Sequence, residues 1–86
     1  MRTMKELCKE ALDVQDASNL SGVVHAFSRS MTDLREILSK EENFSTSKLN
    51  QHPVSIMFSS KIASLTGSEC GVEFIVAMRF CENNKQ

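Results

Sequence analysis

Asn19-Leu20-Ser21-Gly22-Val23-Val24-His25-Ala26-Phe27-Ser28-Arg29-Ser30-Met31-Thr32-Asp33-Leu34-Arg35-Glu36-Ile37-Leu38-Ser39-Lys40 is the run that decides the fold. Leu20, Val23, Val24, Phe27, Met31, Leu34, Ile37 and Leu38 recur at three- and four-residue steps, with mostly polar residues between them. Such spacing places all eight on one stripe of an amphipathic helix. Opened at Asn19 or Ser21 and carried to Lys40, the helix is about 30 Å long at a rise of 1.5 Å per residue. It is the central strut of an all-α domain, a small bundle of three to four helices spanning residues 1–86.

The strut begins inside an unusually polar elbow, Gln15-Asp16-Ala17-Ser18-Asn19-Leu20-Ser21-Gly22-Val23-Val24-His25. One reading is a helix corner, in which Asp16, Asn19 or Ser21 caps the new helix and Gly22 relieves crowding where two helices cross. The other is a binding site made of Gln15, Asp16, Asn19, Ser21 and His25. Helix N-terminal amides and an imidazole beside the apolar stripe suit an anionic group. Capping accounts for two or three of these side chains and leaves Gln15 and His25 without a task.

Working outward, Met4, Leu7, Cys8, Ala11 and Leu12 (or Val14) form a shorter apolar stripe, which predicts a helix from about Thr3 to Gln15. Thr3 followed by Glu6 fits a capping box. Glu41 to Gln51 reads as a polar connection with one short turn opened by Ser45 or Thr46. His52-Pro53 then marks a helix start, because proline suits the first helical position. Val54, Met57, Phe58, Ile62 and Leu65 follow as a third stripe, and Gly67 fits a left-handed cap at its end. Lys61 lies within that stripe, so its stem is expected to run along the core edge. Val72, Phe74, Val76, Met78 and Phe80 alternate as a strand would, yet a lone strand needs a partner from a second chain. A helix opened by Ser68 is the preferred reading, with an intermolecular strand (an α+β fold) as the alternative. Glu82 to Gln86 reads as a frayed tail.

Composition narrows the function. Ten basic and eleven acidic residues give a net charge of −1, which offers no field for non-specific nucleic-acid binding. Arg29, Arg35 and Lys40 on the strut are interleaved with Asp33 and Glu36, a solvated face with i,i+4-type pairing rather than a recognition helix. Cys8, Cys70 and Cys81 are odd in number with no CxxC pair, which reads as reduced thiols in a cytoplasmic protein. No two of His25, His52 and the cysteines have ligand spacing on one helix turn, so no metal and no cofactor are expected. Neither a phosphate loop nor an apolar run of membrane length is present. No catalytic residues stand out, and the chain is expected to be no enzyme. A core of this size is marginal alone, so a homodimer is expected, with Val72–Phe80 as the surplus apolar segment.

Three stretches carry a resemblance: Val14 to His25, His52-Pro53, and Lys61-Ile62-Ala63-Ser64-Leu65-Thr66-Gly67. Together, over roughly Val14 to Gly67, they resemble small proteins borne by bacteriophages and prophages. The resemblance implies a phage-type genome and no catalytic residues. It also implies a function exerted by binding a host protein, defence components among the targets. The five Met and five Phe suit an adaptable apolar contact surface. The competing expectation is a small-molecule module that takes a nucleotide or other anion at the elbow.

Overall fold

The computed structural model describes residues 1–69 and 71–86; the expectation of a free thiol at Cys70 lies outside them. The chain folds as α1 (Met4–Asp13), a 3-10 turn (Val14–Asp16), α2 (Leu20–Leu38), α3 (Thr46–Asn50), α4 (Pro53–Thr66) and α5 (Phe74–Asn84). No strand occurs among the described residues. Four helices of ten residues or more and the one-turn α3 make the all-α bundle expected from the strut.

Local chemistry accounts for most of the boundaries. Thr3 and Glu6 close a reciprocal capping box at the start of α1. Asn19 opens α2 and Ser45 opens α3, each accepting a backbone N–H through its side-chain oxygen. Pro53 is the first residue of α4, whose last turn closes on Gly67 at φ 77°, a conformation that strains any side chain with a Cβ. His52 caps α4 in an unexpected way: its Nδ1 accepts the Val54 N–H at 3.1 Å. The ring also stands edge-on to Phe80, 5.3 Å between centroids. Burial pushes the imidazole below its ordinary range, in keeping with a ring that must stay neutral to accept that bond.

α1 and α4 meet in the middle of the bundle; α2 packs over them on one side and α5 on the other. The core comprises Leu7, Cys8 and Ala11 of α1, Val23, Leu34 and Leu38 of α2, Val54, Met57 and Phe58 of α4, and Ala77 and Cys81 of α5, with Leu49 closing one edge from α3. The Phe27 and Phe58 rings join α2 to α4 at 5.9 Å.

Three expectations need correction. The last segment is a helix, so the intermolecular strand is excluded, but it opens at Phe74 and not at Ser68. Gly67 turns the chain out of α4, and helix resumes where α5 packs against α1 and α4. Glu82 is not the start of a frayed tail: α5 runs on to Asn84, whose side-chain amide donates to Phe80 O at 2.8 Å. Leu20 and Val24 are exposed, whereas Ala26 and Ser30 are buried in the row that faces α1 and α4.

Ser30 is buried because charge reaches it. Its hydroxyl donates to Glu10 Oε1 at 2.7 Å and accepts from Arg2 Nη2 at 3.1 Å. Arg2 also pairs with Glu10 at 2.8 Å and Asp33 at 2.9 Å, and Arg29 pairs with Glu10 at 2.7 Å. Arg29 and Asp33 of α2 therefore pair outward, to α1 and the segment before it, and among the described residues no ion pair runs along α2 itself, contrary to the i,i+4-type pairing expected for that face. Desolvation works against the Glu10 carboxylate, but hydrogen bonds from Arg2 and Ser30 outweigh it and hold Glu10 below the usual carboxylate range. The Arg2 bond lowers Asp33 in the same way.

Candidate functional site

The elbow is a corner that fastens itself to α4. Gln15 is half-buried in the 3-10 turn, and its amide donates to Ala11 O at 2.8 Å and to Met57 O at 3.2 Å. Lys61 returns the contact, Nζ to Gln15 O at 2.9 Å, so its stem follows the core edge and its ammonium holds the elbow's backbone. Two reciprocal polar ties therefore fasten the elbow to α4. This assigns Gln15 the structural task that capping alone could not give it.

The five elbow residues divide. Asn19 is the cap, its Oδ1 accepting from Gly22 N at 3.2 Å. Gly22 admits no second helix: a Cβ there would meet only the Asn19 side chain, at 3.8 Å, which is ordinary contact. Asp16, Ser21 and His25 are exposed. Ser21 and His25 stand one turn apart on α2, so they share a face, and Leu20 and Val24 form the neighbouring pair at the same spacing. The structure thus separates the inward-facing Gln15 from the outward-facing Asp16, Ser21 and His25. Asn19→Ala should cost about 1 kcal/mol through loss of the cap, and His25→Ala should leave stability within about 0.5 kcal/mol. Thermal melts of the two variants side by side check this.

Behind the elbow lies an open cleft of about 280 Å³ lined by Gln15, Ser60, Lys61, Ser64 and Phe74. Sequence reading did not assemble it. Ser60 and Ser64 are one turn apart on α4, which is visible in the sequence, but the opposing walls come from the elbow and from the first residue of α5. Among the described residues, no three His, Cys, Asp or Glu side chains are grouped as metal ligands would be. No described helix is long and apolar enough to cross a membrane. Cys8 and Cys81 face each other inside the core, both fully buried, and the neighbouring thiol together with burial pushes Cys81 far up. No protein-family model, curated protein or solved structure matches this chain.

Proposed function

We propose that this chain is a non-enzymatic interaction protein of phage type that binds a host protein through the start of α2. The observation that carries the reading is the exposure of Leu20 and Val24, 37% and 41%, on a helix whose other large apolar side chains turn inward. Ser21 and His25 adjoin that pair on α2 and Asp16 is exposed in the turn before it, polar groups that suit the hydrogen-bonding rim of a protein contact with an apolar centre. Three groups that could serve a reaction have other tasks. The Cys8 and Cys81 thiols are closed inside the core, and the His52 imidazole caps α4. A target among host defence components follows from the resemblance of Val14 to Gly67 to phage-borne proteins.

The test is capture from a bacterial lysate by the parent and by the Leu20→Ser/Val24→Ser pair. Both positions are exposed, so the double variant should melt close to the parent. It should lose the captured host protein. Equal capture by parent and variant would sink the proposal.

The nucleotide or anion reading at the elbow draws on the cleft behind it, which Lys61 and Ser64 both line. Its ammonium is already engaged with Gln15 O, and Asn19 is spent on its cap. A rise in melting temperature with ATP or inorganic phosphate, absent in Lys61→Met, would favour this second reading.

A further inference from the structure

We propose that Cys8 and Cys81 are a reversible redox pair, which a low-molecular-weight disulfide such as oxidised glutathione converts into a bridge that locks α5 to α1. The two side chains meet across the seam between these helices, where they share a hydrogen bond and are both 0% exposed. Both are free thiols as the chain stands. A lone buried cysteine behaves as a small hydrophobe, but two whose side chains already touch have the proximity that a disulfide requires. The pair uses no residue of α2, so the proposal stands apart from the host-binding reading.

The helices that the bridge would join are otherwise held by packing. Among the described residues no ion pair and no other side-chain hydrogen bond links α1 to α5; the Asn84 amide bonds within its own helix. α5 also opens without a side-chain cap, and the chain leading into it is exposed at Ser68, Glu69, Gly71 and Val72. Such an end helix is the part of a bundle that opens at least cost. Its departure from α1 uncovers both sulfurs at once. The thiolate of one cysteine then attacks a sulfur of oxidised glutathione, whose S–S bond breaks; one glutathione leaves as its thiolate and the other stays on the protein as a mixed disulfide. As α5 returns, the second cysteine loses its proton and attacks the protein sulfur of that mixed disulfide, releasing the second glutathione. Two thiols are oxidised and one disulfide is reduced, so no other reactant is needed. The closed loop encloses α2, α3 and α4, and a cross-link over so long a loop restricts the unfolded chain strongly.

The test equilibrates the native protein in glutathione buffers from fully reduced to fully oxidised, quenches with acid, and maps the digest by mass spectrometry. The parent should pass from the dithiol to a form two hydrogens lighter, whose digest holds the Cys8 and Cys81 peptides joined. Its melting temperature should rise by roughly 10 °C or more and fall back when dithiothreitol is added. Cys70→Ser should behave like the parent. Cys8→Ser and Cys81→Ser should each stop at a glutathione adduct on the remaining partner, with no such rise in melting temperature. Should either of these two fail to fold by circular dichroism, the digests and melts of the parent and Cys70→Ser still decide. A parent whose thiols stay free across the whole series, or take up glutathione without closing, overturns the proposal. So does a bridge that runs through Cys70 or joins two chains. A Cys8–Cys81 bridge that leaves the melting temperature unchanged overturns it as well, because α5 is then not locked.

Discussion

Phe58→Ala should lower stability by about 3–5 kcal/mol, a large share of the ~5–15 kcal/mol that holds a domain together. Phe58 is the largest fully buried side chain, on the helix that touches every other part of the bundle, and its ring rests on Phe27 across the α2–α4 seam. Its removal leaves a cavity lined by α2 and α4 that neither helix can close without losing its other contacts. Leu34, also fully buried, should cost about 2–5 kcal/mol when truncated to Ala. Phe27 is only half-buried, so Phe27→Ala should cost less than either. Urea unfolding at neutral pH gives the ranking, and a Phe58→Ala loss within about 1 kcal/mol would show that the seam is not the centre of the core.

Glu10→Gln should cost about 1–3 kcal/mol at neutral pH, since the carboxylate gathers Arg2, Arg29 and the buried Ser30 hydroxyl. The same variant should alter the acid limb of the stability curve. Glu10 and Asp33 both have folded pKa values below their ordinary ones. Between the folded and unfolded values the unfolded chain binds more protons, so stability falls as pH falls below the ordinary carboxylate range near 4–4.5. His52 adds an earlier step of the same sign. Its folded pKa is also depressed, so its contribution is complete above about pH 6.5 and declines as pH drops through that value. The parent should therefore weaken in two stages on acidification. Glu10→Gln should soften the lower stage and leave the upper one, whereas His52→Asn, which keeps a capping oxygen, should remove the upper. Melting temperatures across pH 3–8 separate the two, and coincident curves for parent and Glu10→Gln would refute the role given to the network.

These two cases show where sequence reading succeeds and where it stops. Thr3 with Glu6, Asn19, Ser45, Pro53 and Gly67 act within three residues of themselves, so caps and helix ends are legible from local chemistry. The strut is legible because Val23, Leu34 and Leu38 repeat over about four turns. Ser30 is not, because its burial depends on Arg2 and Glu10, which lie 28 and 20 residues earlier in the chain. Leu20 and Val24 fail for the complementary reason. They match the stripe by period, but the helix period cannot say where a neighbouring helix ends. The candidate site was legible as a corner with spare polar groups. That Gln15 is one of its fastenings depended on Met57 and Lys61, whose positions only the packing of α4 decides.

The pairing of α1 with α5 has a consequence for how the chain comes to be folded. Leu7 and Cys8 are made early, yet the wall that shields them includes Ala77 and Cys81, made after α2, α3 and α4 are complete. Contacts between such distant parts of a chain form late, because a long loop must close before they can be gained. Any pairing of α1 with α4 that precedes the docking of α5 leaves open the side that Ala77 and Cys81 cover. Until α5 docks, the chain shows apolar surface on that side and is open to chaperones, proteases and its own neighbours.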